Sequence, residues 1–178
     1  MAKAKPFSPI KLIFGLIASQ DLIFQRTQEL LIQLYGPLDT ESQFFSFNYT
    51  DYYKKQMGGA LKRKFISCTN LYPPDKLSEI KLKTNIIEGE IAREIKSKKR
   101  VVNIDPGILS AAALIMATVK DFSHRIPLQK GIYGHLEFLF KKNAIKILPW
   151  TYPDYRSPEY HNYFLNVRKL FLNQRKNV

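Results

Sequence analysis

The order of the apolar segments in the first 104 residues constrains the fold more than any other feature of this sequence. Residues 11–18 are predicted to form a buried strand, because residues 12–18 are a short continuous apolar run. A helical pattern over residues 20–35 follows, and Gly36 then supplies a stop signal. Aromatic and β-branched residues are frequent at 44–49 and 61–69, which indicates two further strands.

A second helix and a fourth strand complete this pattern. Residues 75–97 have the clearest helical spacing in the chain, and residues 101–104 are again strand-like. The order strand, helix, strand, strand, helix, strand is that of a ferredoxin-like split βαβ unit. We therefore predict an α+β fold with a ferredoxin-like core over residues 1–105.

The next segment has the signals of a helix N-terminus. Asp105 is a suitable N-cap residue, Pro106 a suitable first helical residue, and the apolar stretch 108–119 follows them. We therefore expect a helix over residues 108–119 and favour a role for Asp105 as its N-cap over a catalytic role.

The remaining segments predict an extension of the core. Residues 132–140 and 144–148 form a predicted β-hairpin, and Ser157 and Pro158 begin a final helix. Because no long linker or repeat interrupts the chain, we expect residues 1–178 to form a single domain, with 106–178 as an extension.

Composition and charge exclude several classes of protein. With 45% hydrophobic residues, the chain can build a core, and its single cysteine excludes an internal disulfide framework. No apolar run approaches the length of a membrane span. A net charge of +13 favours anionic partners, although scattered basic residues also serve solubility.

Two readings of the N-terminus are open from the letters alone. Basic residues before the apolar run 12–18 resemble a signal peptide, but the run is short and lacks a good cleavage site. A buried strand explains the same residues better, so we expect a cytoplasmic protein in which Cys68 is a buried, reduced thiol.

Familiar catalytic motifs are absent, so the candidate site rests on polar and aromatic segments. There is no phosphate loop, no dinucleotide-binding glycine motif and no nucleophile elbow. If distant segments meet, Arg63, Arg125 and Arg156 can hold a phosphate, while Trp150, Tyr152 and Tyr155 offer stacking faces. Asp51 lies in a neighbouring polar loop. This combination predicts a binding module for a nucleotide or RNA.

Two alternatives come from other classes of protein. A small metal-assisted hydrolase or phosphotransferase would use Asp105, Asp121 and His124 as its working groups, with an unspecified metal. An interaction scaffold would use the same polar segments only to brace the fold. Each candidate also has a structural role open to it, such as an ion pair between Asp121 and Arg125 or aromatic packing by Trp150. The sequence does not specify a cofactor, a substrate or an oligomeric state.

Several motifs in order also carry a family resemblance. They are TDYY, MGG followed by LKRKF, EIKLKTNIIE, RVVNIDPG, VKDFSHRI and LPWTYPDYRSPEY. Together they resemble the domain-of-unknown-function 4416 family, small and mostly bacterial and archaeal proteins, over about residues 11–168. The resemblance implies a single-domain intracellular protein. The resemblance does not imply any catalytic residue, cofactor or substrate for this chain.

Overall fold

A computed structural model describes residues 3–50 and 53–176 of the chain. Over these residues the fold is mixed α/β, with one large antiparallel sheet. The strands are β1 Ile10–Ala18, β2 Leu38–Glu41, β3 Phe45–Ser46, β4 Lys62–Tyr72, β5 Val102–Leu109, β6 Ala113–Thr118, β7 Ile126–Pro127, β8 Tyr133–Phe140 and β9 Ile145–Ile147. The helices are α1 Asp21–Tyr35, α2 Lys54–Met57, α3 Leu77–Glu94 and α4 Pro158–Gln174.

The sheet order is β2-β4-β1-β5-β6-β8-β7, with β3 beside β4 and β9 beside β8. The central strand β1 is buried along its whole length, as predicted for residues 11–18. Because side chains alternate across a strand, β1 supplies apolar residues to both faces of the sheet. The two faces are therefore covered by different elements.

Helices α1 and α3 cover the first face. Leu12, Phe14 and Leu16 of β1 pack there with Phe24 of α1 and Ile87 of α3 in one buried apolar cluster. Apolar residues on one stripe of each helix meet this face, so burial of that stripe stabilises both helices.

Helix α4 covers part of the second face. Ile13 of β1 and Phe65 of β4 pack there with Phe164 and Val167 of α4, which defines the α4 cluster. The helix begins as predicted, since the Ser157 hydroxyl accepts a hydrogen bond from the Tyr160 amide and a proline occupies the first turn.

The predicted helix over 108–119 is wrong. Strand β5 continues to Leu109, a tight turn at Ser110 follows, and β6 pairs back on β5. This segment is apolar throughout because both of its faces are buried: Leu114 joins the α4 cluster, whereas Ala117 packs near α3. Buried strands and short buried helices give the same apolar run in a sequence.

Asp105 and Pro106 consequently lie inside β5 and are not a helix cap. Pro106 pairs with Phe14 of β1. In this register the amide of Ile104 points away from β1, to the Glu88 carboxylate. Pro106, two residues later, has the same orientation, so its missing N–H costs the β1 ladder no hydrogen bond.

Smaller differences concern strand and helix limits. The predicted strand 44–49 is reduced to the two residues of β3, and β2 was not predicted at all. Helix α3 ends at Glu94 and is preceded by a 3-10 turn at Pro74–Lys76, which makes it shorter than the predicted range 75–97. Within the described residues, no helix is long and apolar enough to cross a membrane.

Candidate functional site

A cavity of about 430 Å³ lies beside the α4 cluster, on the second face of the sheet. Its wall follows from the strand alternation. Arg63 precedes Phe65 by two residues on β4, and Asp105 precedes Gly107 by two residues on β5, so both polar side chains share this face with apolar neighbours. From β8 come His135 and Glu137.

Arg63 is a deeply buried cation of the cavity wall. Its Nη2 donates to Asp154 at 3.1 Å, and each side chain of this ion pair is only 6% exposed. The guanidinium carbon lies 5.0 Å from the Phe47 ring centre and 5.6 Å from that of Tyr155. Among the described residues, Nε and Nη1 have no hydrogen-bond partner. Such N–H groups are costly to bury unpaired.

Gly15 of β1 makes room for this side chain. A Cβ atom at Gly15 would lie 2.7 Å from Arg63 Nη1 and 3.2 Å from the Phe65 ring. The glycine is therefore required for space, and its position in the central strand lets a large guanidinium lie across β1.

Side chains of α3 and of the loop after it form hydrogen bonds with backbone groups of β5 that have no neighbouring strand. Lys81 Nζ donates to the Ile104 carbonyl at 2.8 Å, and Glu88 Oε1 accepts from the Ile104 amide at 2.7 Å. Arg100 donates to Glu88 at 2.5 Å and to the Val102 carbonyl at 3.0 Å. Since β6 pairs only with the later part of β5, these side chains take the place of a neighbouring strand.

Asp105 is held at this edge by positive charge. Lys81 Nζ lies 3.1 Å from its Oδ1, and the Asn103 amide donates to its Oδ2 at 2.5 Å. Burial opposes ionisation of Asp105. The charges of Lys81 and Arg63, with the hydrogen bonds from Lys81 and Asn103, outweigh that effect and hold its pKa below the ordinary value.

Glu137 lies in an irregularity of β8. Strand β6 pairs Ile115 with Leu136 and Leu114 with Phe138, so Glu137 has no register partner on β6. Bulges of this kind change the direction of a side chain. The carboxylate is buried, accepts from the Tyr152 amide at 3.2 Å, and lies 3.5 Å from His135 Nε2.

Three carboxyl groups of the wall have raised pKa values. Burial raises the pKa of Asp154 despite the charge of Arg63, and it raises the pKa of Glu88 despite Arg100 and Lys81. Burial also raises the pKa of Glu137, although His135 opposes the effect. The wall therefore combines one carboxyl group with a lowered pKa, Asp105, with three whose pKa is raised.

Three of the predicted ligand-binding or catalytic residues form a layer behind the wall. The His124 ring stacks on Trp150 with ring centres 5.2 Å apart, and its Nε2 lies 3.2 Å from His135 Nδ1. Arg125 donates to His135 Nδ1 at 3.2 Å and also to the Tyr152 hydroxyl. Slight burial and the nearby charges of His135 and Arg125 lower the pKa of His124.

The structure thus brings together part of the predicted site. Arg63, Asp105, Tyr152 and Tyr155 line the cavity. His124 and Arg125 contact the wall residues His135 and Tyr152, and Trp150 packs on His124. Arg156 instead donates to the carbonyls of Thr151 and Pro149 and braces its own loop. Asp121 is exposed outside the cavity, and Asp51 lies outside the described residues.

The hydrolase alternative requires Asp105, Asp121 and His124 to act together. Of these, only Asp105 lines the cavity. Within residues 3–50 and 53–176, no three His, Cys, Asp or Glu side chains are grouped so that they could hold a metal ion.

Several wall residues were not selected from the sequence. They are Lys81, Glu88, Arg100, Asn103, His135, Glu137 and Asp154. A signal was available for Lys81 and Glu88, because both fall on the apolar stripe of α3 that includes Leu77, Thr84 and Ile91. Glu137, between Leu136 and Phe138 in an apolar strand, carries the same signal. Charged residues at buried positions need partners.

Comparison with known proteins identifies a family whose function is unknown. The model of the domain of unknown function DUF4416 matches residues 8–171, so the chain belongs to this family. No curated protein and no solved structure match it.

Proposed function

We propose that this DUF4416 protein is a binding module for a small phosphate-bearing ligand, a nucleoside monophosphate, held in the central cavity. The observation that carries the proposal is the convergence of Arg63, Lys81 and Arg100 with the rings of Tyr152 and Tyr155 around one cavity. Arginine suits phosphate oxygens, and an aromatic ring can stack on a base. Tyr155 is buried and stacked on Phe164, and one face of Tyr152 is stacked on His135, so the half-buried Tyr152 is the ring left to contact a base.

The charge of the wall favours a ligand with one phosphate. Among the described lining residues, Arg63, Lys81, Arg100 and Lys120 are balanced by the carboxyl groups of Glu88, Asp105, Glu137 and Asp154. Arg63, Lys81 and Arg100 each already pair with one of these carboxylates. A di- or triphosphate would add several negative charges beside them, which is unfavourable in a site of low dielectric constant.

Raised pKa values of the wall carboxyls support the same ligand class. A protonated Asp154 or Glu137 can donate a hydrogen bond to a phosphate oxygen, and its neutral form removes a repulsive charge.

Isothermal titration calorimetry with AMP, GMP, CMP and UMP tests the proposal. ATP in the presence of EDTA and the nucleoside adenosine serve as comparison ligands. We expect one monophosphate to bind with a 1:1 stoichiometry, and adenosine and ATP to bind at least tenfold more weakly. Absence of binding by all four monophosphates would refute the proposal.

The arginine variants Arg100→Gln and Arg26→Gln form a matched pair. Each arginine pairs with a glutamate of α3, Arg100 with Glu88 and Arg26 with Glu94, but only Arg100 lines the cavity. We expect Arg100→Gln to weaken binding at least tenfold and Arg26→Gln to leave it unchanged. An equal loss in both variants would show that net charge, rather than the cavity, attracts the ligand.

We also propose that β1, α1, β2, β4, α3 and β5 constitute a ferredoxin-like split βαβ unit. The antiparallel order β2-β4-β1-β5, with α1 and α3 on one face, supports it. The continuation of the same sheet into β6 and β8 supports our proposal that residues 106–178 belong to the same domain as 1–105.

A further inference from the structure

A second concavity lies on the outer side of α4, away from the α4 cluster. It has a volume of about 790 Å³ and runs between α4 and the turn that joins β8 to β9. Its basic residues are Lys142 in the turn and Arg168, Lys169, Arg175 and Lys176 at the end of α4. We call this surface the basic groove.

The charges of the basic groove are uncompensated, unlike those of the cavity. No Asp or Glu lines it among the residues that the structure describes. None of the ion pairs of this part of the chain involves its five basic side chains. A surface with such charge attracts polyanions at long range.

The spacing of these cations follows the helix. Helix α4 ends at Gln174, but the amides of Arg175 and Lys176 still donate to the carbonyls of Phe171 and Asn173. Arg168 and Arg175 are seven residues apart, as are Lys169 and Lys176, so the second residue of each pair follows the first by about two helical turns. Arg168 also donates to the carbonyls of Ala111 and Lys142, which fixes the turn against α4. The result is a group of positive charges along an open surface groove.

We propose that the basic groove binds the phosphate backbone of a nucleic acid strand, independently of the cavity. A linear array of cations in a concave surface matches a chain of phosphates. A membrane surface fits less well, because an interfacial helix presents a continuous apolar face to lipid. The apolar lining residues Leu165 and Leu172 are half-buried here.

Fluorescence anisotropy with a labelled 20-nucleotide single-stranded RNA tests this site. The groove variant combines Lys142→Gln, Lys169→Gln, Arg175→Gln and Lys176→Gln, and it keeps Arg168 because that side chain supports the turn. The control variant removes the same number of charges from exposed lysines of α3 and the loop after it: Lys83→Gln, Lys96→Gln, Lys98→Gln and Lys99→Gln.

We expect the groove variant to bind RNA at least tenfold more weakly at low salt and the control variant to bind like the unmodified protein. With about four phosphates neutralised, the slope of log K against log[KCl] is near −3 for the unmodified protein and close to zero for the groove variant. Equal weakening in both variants, absence of RNA binding, or binding only to phosphatidylserine vesicles would each overturn the proposal. AMP calorimetry on the groove variant reports on the cavity separately.

Discussion

The second face of the sheet has two neighbouring regions that are built by the same strands in different ways. In the α4 cluster, Phe65, Phe138 and Phe164 pack as an ordinary apolar core. In the cavity, Arg63 and Glu137, close to Phe65 and Phe138 along the same strands, are buried ionisable side chains. The α4 cluster, which stabilises the fold, and the cavity, whose ionisable side chains are costly to bury, are therefore only a few residues apart along the same strands.

This contrast indicates what each region is for. Burial of aromatic side chains contributes directly to stability. Buried ion pairs contribute little or nothing relative to apolar residues of similar volume, because desolvation offsets their attraction. We propose that the four carboxyl groups and several cations around the cavity serve recognition of a ligand rather than stability.

Removal of an aromatic ring from the α4 cluster should have the largest effect. Phe164 is fully buried and contacts Phe65, Phe138 and Tyr155. We expect Phe164→Ala to lower the free energy of unfolding by about 4 kcal/mol, measured by urea denaturation. The exposed Leu170→Ala on the same helix is the control, and a loss below about 1 kcal/mol for Phe164→Ala would contradict the assigned packing.

Removal of one partner from the buried ion pair should have the next largest effect. In Asp154→Ala, Arg63 remains buried without a carboxylate, so we expect a loss of about 3 kcal/mol in the free energy of unfolding.

The double variant Arg63→Met with Asp154→Leu sharpens this result. Because both charges are replaced by apolar groups, we expect most of the stability to return while monophosphate binding is lost. If binding by the double variant equalled that of the unmodified protein, the cavity would not be the ligand site.

A smaller change tests the fit of Arg63 against β1. The methyl group of Gly15→Ala would approach Arg63 Nη1 and displace it, so we expect a loss of about 1–2 kcal/mol in the free energy of unfolding and weaker monophosphate binding. Gly89→Ala, where no atom lies within 4 Å of the new Cβ, serves as the control and should not weaken binding. If Gly15→Ala changed neither the affinity nor the stability, the close approach of Arg63 to the backbone of β1 would be refuted.

The pH dependence of stability should show the smallest effect. The polar groups that act on the pKa of Glu137 are His135 on the same strand, and Tyr152 and Asp154 in the loop that precedes α4. Its folded pKa is raised, so its contribution to stability is complete below the ordinary value of 4.5 and is lost as pH rises through the folded pKa.

We therefore expect the free energy of unfolding of Glu137→Gln, relative to the unmodified protein, to increase as pH rises above about 4.5. Urea denaturation at a series of pH values measures it. In Glu94→Gln the difference should change only as pH falls below about 4.5, since Arg26 lowers the pKa of Glu94. A flat difference for Glu137→Gln would contradict the raised pKa.

The sequence predicts the apolar region better than the cavity. The buried strand β1, the helix α1, the cap of α4 and the membership of the family follow from local patterns, and the structure and the family match confirm them. The run 108–119 was misread as a helix because burial on both faces removes the alternation that marks a strand.

The cavity depends on contacts that no local pattern contains. Lys81 and Asp105 are 24 residues apart, and Arg63 and Asp154 are 91 residues apart. Their proximity comes from the order of strands in the sheet, so only the presence of Arg63, Asp105, Tyr152 and Tyr155 in polar segments was visible beforehand. The bulge that turns Glu137 toward the cavity also depends on pairing between strands.

Backbone amide NMR with added AMP tests the central claim most directly. If a nucleoside monophosphate occupies the cavity, the largest shift changes fall on Arg63, Asn103, Asp105, Glu137 and Tyr152, which come together only in the folded chain. Changes confined to Lys142 and the end of α4, or no saturable changes at all, would contradict it.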